Sequence, residues 1–91
     1  MTILKFELKG EPDREAVEAD VTLAMFASEC VFGKTRMRLE TAYLVDDDGG
    51  ACVVNVAGEA GEVAARVFAG LTAARLGEAA YSVKRVEEAL A

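Results

Sequence analysis

The chain has 91 residues, of which 53% are hydrophobic and 29% charged, and this composition is typical of one folded domain rather than a disordered segment. Ten basic and sixteen acidic side chains give a net charge of −6, which disfavours nucleic acid and anionic membranes as partners because both attract positive charge. The chain has no histidine, so the commonest general base and metal ligand is absent, and the residues predict neither a cofactor nor a metal site.

The first segment, residues 2–9, alternates apolar and charged side chains as a half-buried strand does. Leu4, Phe6 and Leu8 fall on its apolar face. The segment lacks the continuous apolar run of a signal peptide, and no later apolar stretch is long enough to cross a bilayer. The sequence therefore predicts a cytoplasmic protein.

Residues 13–32 are predicted to form the first helix. Pro12 is tolerated in a first turn, and Gly33 is a typical helix stop. Beyond Val21 the apolar side chains point nearly all round the helix, and they include Leu23, Met25, Phe26, Val31 and Phe32. A helix in a two-layer domain has only one covered side, so this surplus predicts a homo-oligomer or a protein partner.

A hairpin is predicted over residues 36–57, where two runs rich in β-forming residues flank an Asp/Gly turn at 46–50. An even-numbered loop sets the register, because side chains alternate between the two faces. The buried face then pairs Val45 with Cys52, Tyr43 with Val54 and Thr41 with Val56. The outer face pairs Leu44 with Val53, Ala42 with Asn55 and Glu40 with Ala57.

The first hairpin strand is expected to begin at residue 36, which would place Met37 and Leu39 on the buried face and Arg36 and Arg38 on the outer face. Two apolar side chains interrupt this otherwise polar outer face. The predicted interaction surface therefore consists of Leu44, Val53, Asn55, Arg36 and Arg38.

The remaining residues predict a helix over 59–76 and a last strand within 79–88. Val63, Val67, Leu71 and Ala74 are expected on the buried side of that helix. The element order predicts that residues 1–91 form a single α+β domain, a ferredoxin-like βαββαβ two-layer sandwich with two helices on one face of an antiparallel four-stranded sheet. Right-handed crossovers place the first and third strands at the centre of the sheet.

Few residues suggest chemistry. The acidic triplet at 46–48 lacks the ligand spacing of a calcium loop, and turn formation explains its composition. Cys30 and Cys52 form no CxxC pair and are expected to be reduced, buried thiols. The basic side chains expected on the outer sheet face, Lys5, Lys9, Arg36 and Arg38, lack the aromatic neighbours that stack on bases, so no nucleic-acid site is predicted.

The second half of the chain resembles the acylphosphatases. The likeness consists of Asp48-Gly49 before a strand, the helix that ends near Leu76, and the segment 83–86. Residues 10–14 do not match that family's phosphate-binding loop, and 41–44 contain no counterpart of its catalytic asparagine. Without an anion cradle and a positioned water, the activity is not expected.

The sequence therefore favours a non-catalytic module that associates with itself or a partner through apolar helix and sheet surfaces. The alternative is a regulatory domain that binds an amino acid or another metabolite near the first strand–helix connection. Gly10 would then contribute to the ligand loop and Arg14 would bind a carboxylate. An enzyme is the third choice, and it would have to act through carboxylates, lysine, tyrosine or cysteine.

Overall fold

The computed structural model describes residues 2–9, 13–56, 58–77, 79 and 81–87, and these form an α+β arrangement. In chain order the elements are β1 (Thr2–Leu8), α1 (Arg14–Phe32), α2 (Lys34–Glu40), β2 (Tyr43–Val45), β3 (Ala51–Asn55), α3 (Glu59–Leu76) and β4 (Tyr81–Glu87). The four strands form one antiparallel sheet in the order β2-β3-β1-β4. The first and third strands therefore lie at its centre, as predicted.

The hairpin has the predicted register, with Tyr43 opposite Val54, Leu44 opposite Val53 and Val45 opposite Cys52. Its turn is closed by a hydrogen bond of 2.9 Å from the Gly49 N–H to the Asp46 carbonyl oxygen. The Asp48 carboxylate accepts a second bond, of 2.8 Å, from the Gly50 N–H. Gly49 has a φ of 74°, and a Cβ there would lie 2.7 Å from the backbone nitrogen of Arg14, so the turn requires glycine.

Helix α2 occupies the segment that was predicted as the start of the hairpin, and the prediction of a strand there is wrong. Arg36 and Glu40 form an i,i+4 pair at 2.6 Å, which stabilises a helix. Met37 is 7% exposed and Leu39 80%, although a strand would place both on one face. A helix separates two such positions by about 200°. Arg36 and Arg38 consequently lie on α2, and the domain has three described helices rather than two.

The hydrophobic core lies between α1, α3 and one face of the sheet. At its centre the ring of Phe6 from β1 meets that of Phe68 from α3 edge to face, with 4.9 Å between the ring centres. Helix α1 contributes Val17, Val21 and Ala24 at helical spacing, and all three are buried. The strands contribute Phe6, Leu8, Val45, Cys52 and Val54. The helices therefore cover one face of the sheet and leave the other open.

Helix α3 has the predicted bounds, but its buried side is centred on different residues. Its buried residues are Ala60, Gly61, Ala64, Ala65, Phe68 and Thr72. Val67 and Leu71 are half-buried and pack against the core, Val63 is half-buried and Ala74 is exposed, so the predicted residues lie at the border of the buried side rather than at its centre. Mostly small side chains on the contact face allow the helix to approach the sheet closely, which leaves the larger apolar side chains at its flanks.

The ends of α1 match the prediction to within a residue. The Asp13 side chain caps the helix by accepting a hydrogen bond of 3.0 Å from the Glu15 N–H, and Gly33 ends it with a φ of 86°. The predictions for Gly10, Pro12 and Ala57 lie outside the described residues. No helix in the described part of the chain is long and apolar enough to cross a membrane.

Candidate functional site

Strand β2 forms one edge of the sheet, and no described strand lies on its outer side. Alternate residues form its hydrogen bonds to β3. The Asn55 N–H donates to the Ala42 carbonyl oxygen at 2.8 Å, and the Asp46 N–H donates to the Ala51 carbonyl oxygen at 3.0 Å. Since antiparallel residues alternate in direction, the backbone groups of Tyr43 and Val45 point away from β3. The edge therefore offers backbone donors and acceptors that no described strand pairs.

Three of the predicted interaction residues lie together on the outer face of the sheet. Leu44 is 68% exposed and faces Val53 across the hairpin, while Asn55 is opposite Ile3 of β1. These residues line a cavity of about 240 Å³, here named the sheet patch and formed by Ile3, Ala42, Tyr43, Leu44, Val53 and Asn55. Mostly apolar side chains line the cavity, so it suits an apolar side chain better than an ion.

A larger cavity, of about 480 Å³, lies between α1, α2 and the start of β2. This edge cleft is lined by Met25, Glu29, Lys34, Met37, Arg38, Thr41, Ala42 and Tyr43. It shares Ala42 and Tyr43 with the sheet patch. Both cavities thus border the same edge strand, the cleft on the helix side and the patch on the open side.

The edge cleft carries more positive than negative charge. Lys34 and Arg38 supply two cations against the carboxylate of Glu29. Neither cation forms an ion pair with another described residue. The cleft is therefore a locally basic site on an acidic chain, and its charges are available to a partner.

Arg36, on the same helix, is already engaged. Its guanidinium lies 2.6 Å from a carboxylate oxygen of Glu40 and 3.6 Å from one of Glu59. It also lies 4.8 Å from the centre of the Phe32 ring, a cation–π geometry. The hydrogen bond to Glu40 is the main reason that the pKa of Arg36 is raised. Of the two predicted arginines, Arg38 is the one open to a partner.

Helix α1 exposes a continuous apolar stripe on the side away from the core. Its large members are Leu23, Phe26 and Val31, which are 51%, 62% and 73% exposed. The outer stripe consists of Ala19, Leu23, Phe26, Ala27, Cys30 and Val31, which recur at the spacing of one helix face. This agrees with the excess of apolar side chains expected beyond Val21.

The cysteines differ from their prediction, because only Cys52 is buried and Cys30 is exposed. Burial, reinforced by the nearby Asp46 carboxylate, raises the pKa of Cys52 to about 12, so its thiol is not a nucleophile at neutral pH. Within the described ranges, no group of three or more metal-binding side chains is close enough to hold an ion.

The predicted ligand loop receives little support from the geometry. Gly10 lies outside the described residues, and the Arg14 side chain is 4.0 Å from the Glu18 carboxylate one turn along α1. Neither the edge cleft nor the sheet patch includes Arg14. Both of these cavities therefore border β2 rather than this loop.

Sequence reasoning missed the residues that make the edge concave. Met25 and Lys34 line the same cleft because α2 packs against α1. A strand that began at residue 36, as predicted, would not have formed this contact. The available signal was composition: residues 34–40 are Lys, Thr, Arg, Met, Arg, Leu and Glu, mostly strong helix formers.

Comparisons with protein-family models, with curated proteins and with solved structures find no match to this chain. The resemblance to the second half of the acylphosphatases therefore stays a likeness of element order.

Proposed function

We propose that this chain is a non-catalytic interaction module that associates with a second copy or another protein through its apolar helix and sheet surfaces. The observation that carries the proposal is the outer stripe of α1. Leu23, Phe26 and Val31 are all more than half exposed on one side of the helix. Burying a large apolar side chain contributes about 1.5–3 kcal/mol, so a partner that covers the stripe would be held firmly.

The sheet patch adds a second apolar surface, on the opposite side of the domain. Leu44 and Val53 supply its apolar area, and Asn55 lies at its rim. Arg38 supplies a charge nearby, whereas Arg36 is engaged by its acidic neighbours. Interfaces of this kind combine an apolar centre with polar groups at the rim.

We also propose that the domain is ferredoxin-like. The order β2-β3-β1-β4, read from the other edge, is the order that two right-handed β-α-β crossovers produce. Helix α2 is then an insertion between the first long helix and the second strand. Both long helices lie on one side of the sheet, as this arrangement requires.

The test is the molar mass in solution, measured by light scattering and sedimentation at micromolar concentration with a pull-down beside it. We expect an oligomer or a captured partner, and Phe26→Glu to abolish any association that uses the outer stripe. Ser82→Glu is the matched control, because it adds the same charge at an exposed position on β4. A wild-type chain that is monomeric and captures nothing would refute the proposal.

A second candidate is a domain that binds a small carboxylate, which the edge cleft favours. Its 480 Å³ would accommodate an amino acid, with Lys34 and Arg38 near the carboxylate and Met25 against the side chain. A panel of amino acids and small carboxylates in a thermal-shift assay tests it. A ligand at a hundredfold excess over its Kd stabilises by about 2.7 kcal/mol, and Arg38→Gln should reduce the shift. No shift across the panel would exclude this candidate.

A further inference from the structure

The backbone of β2 is arranged so that it can pair with itself. Tyr43 and Val45 both direct their N–H and C=O groups outward, and Leu44 lies between them with its own groups turned toward β3. In an antiparallel pair centred on Leu44, each Tyr43 would face the Val45 of the other copy. This register uses every outward backbone group of these two residues on both copies.

We propose that a second copy of this chain docks on the β2 edge, strand against strand and antiparallel, so that the two sheets join into one. The inference rests on the proposed function and names its partner and its surface. The two Leu44 side chains, each 68% exposed in the single chain, would meet on the open face. Edge strands that recruit another strand in this way are a common mode of recognition.

Charge complementarity argues for a second copy as the occupant. The acidic turn at 46–48 directly follows β2. In the antiparallel register centred on Leu44, Asp46 of one copy falls opposite Ala42 of the other, so the turn that begins at Asp47 comes next to the edge cleft that Ala42 lines with Lys34 and Arg38. Two copies would therefore place an acidic turn against each basic cleft, and the contact would occur twice by symmetry.

The two edges of the sheet differ in their protection against such pairing. Strand β4 carries Ser82 and Lys84 on its open face, and charged side chains discourage association along an edge. Strand β2 consists of Tyr43, Leu44 and Val45 and contains neither a charge nor a proline. Because β2 has only three residues, it can pair with one partner strand in a defined register but offers little backbone for further aggregation.

A charge exchange between separate chains tests the proposal. Asp47→Lys alone and Arg38→Glu alone would each place like charges in both contacts, and we expect each to weaken the homodimer about tenfold. In a heterodimer of the two variants, one contact joins the introduced lysine to the introduced glutamate, and the other keeps the native pair of Asp47 and Arg38. Native mass spectrometry of the mixture, with one chain isotopically labelled, should show the heterodimer in excess over either homodimer.

The backbone contribution has its own test. Tyr43→Pro removes an outward N–H without touching the ladder to β3, and Tyr43→Ala is its control for the lost ring. We expect the proline variant to be monomeric and the alanine variant to retain some dimer. The charge variants lie at exposed positions, so they decide the question even if the proline variant fails to fold.

The outcomes separate this inference from the proposed function. A wild-type dimer that both charge variants retain, with no preference for the heterodimer, would overturn pairing at β2. If Phe26→Glu then dissociated that dimer, the proposed function would stand with the outer stripe as the interface. A heterodimer preference that Ser82→Glu leaves unchanged would support the β2 edge.

Discussion

Strands β2 and β3 are partners in one hairpin, yet they occupy opposite environments. On the core face Val54 of β3 is fully buried while its partner Tyr43 in β2 is 41% exposed, and on the open face Val53 is half-buried while its partner Leu44 is 68% exposed. Both strands are apolar in composition. The difference arises from strand order, since β3 lies between β2 and β1 and has a neighbour on each side. The centre of the sheet therefore supplies stability, and its edge supplies surface.

The two cysteines offer the largest measurable contrast between interior and surface. Burial raises the pKa of Cys52 to about 12, so its thiol stays protonated at pH 7, while Cys30 is exposed on α1. We expect iodoacetamide to label Cys30 several orders of magnitude faster than Cys52. Intact-mass spectrometry follows the labelling with and without urea. The variant Cys30→Ser should take up no label while folded, and rapid labelling of that variant would contradict the described interior.

Truncation of one side chain at each location should separate the centre from the edge in stability. Phe68→Ala removes a fully buried ring that contacts Phe6, and we expect a loss of about 3–5 kcal/mol in the free energy of unfolding. Leu44→Ala, at concentrations where the chain is monomeric, should change it by no more than about 0.5 kcal/mol. Urea unfolding monitored by circular dichroism measures both. Equal losses of unfolding free energy in the two variants would contradict the exposure of Leu44 at the edge of the sheet.

A pair of glycines in α3 sharpens the comparison within one helix. A Cβ at Gly61 would meet the carbonyl oxygen of Asn55 and lie 2.9 Å from the Val56 Cα, whereas at Gly70 it would meet nothing within 4 Å. Gly61→Ala should therefore cost about 1–3 kcal/mol through overpacking. Gly70→Ala should stabilise by up to about 1 kcal/mol, because alanine is the better helix former. Opposite signs in thermal unfolding are the expected result, and stabilisation by both changes would show that α3 lies farther from β3.

The smallest effect is expected where α2 attaches to α3. The Glu40 carboxylate accepts from the Arg36 Nε at 2.6 Å and from the Ala60 N–H at 3.4 Å, and the bond from Arg36 is the main reason that its pKa is lowered. A lowered pKa gives stability that is present above the ordinary glutamate pKa and lost as the pH falls through the lowered value. Glu40→Gln should therefore be slightly less stable than wild type at pH 7.

The same variant makes a pH test. The stability gap between wild type and Glu40→Gln should close as the solution is acidified below the lowered pKa of Glu40. Urea unfolding at a series of pH values measures this stability gap. Glu18→Gln on α1 is the control, because it removes an exposed charge from the i,i+4 pair with Arg14, whose distance is longer at 4.0 Å. A stability gap that persists unchanged in acid would mean that the charge of Glu40 does not help to hold α2 against α3.

Most elements were predictable because their signals are local. The bounds of α1 and α3 follow from Asp13, Gly33 and the periodic apolar residues, and the hairpin register follows from the turn at 46–50. Helix α2 was missed because Met37 and Leu39 alternate with charged side chains over residues 36–40, a pattern that fits a strand. The composition favours a helix, but the different burial of Met37 and Leu39 decides between the two interpretations, and burial depends on neighbours that are distant in sequence.

The candidate site was predictable in part. Leu44, Val53 and Asn55 could be placed on one face because side chains in a strand alternate, and they do lie together. The edge cleft could not be foreseen, since it is made by Met25 and Glu29 of one helix against Lys34 and Arg38 of another. Its basic character on an acidic chain follows from that packing.

The sequence by itself determined the long helices, the hairpin with its register, and the surplus of apolar side chains, because each depends on residues close together in the chain. The tertiary structure decided which strand lies at the edge and which side of α3 is buried. It also decided that residues 34–40 form a helix that lines a cleft beside β2. The physical reason is that burial is shared among all elements of a core. A local pattern shows which side chains are apolar, but only packing selects those that water can reach.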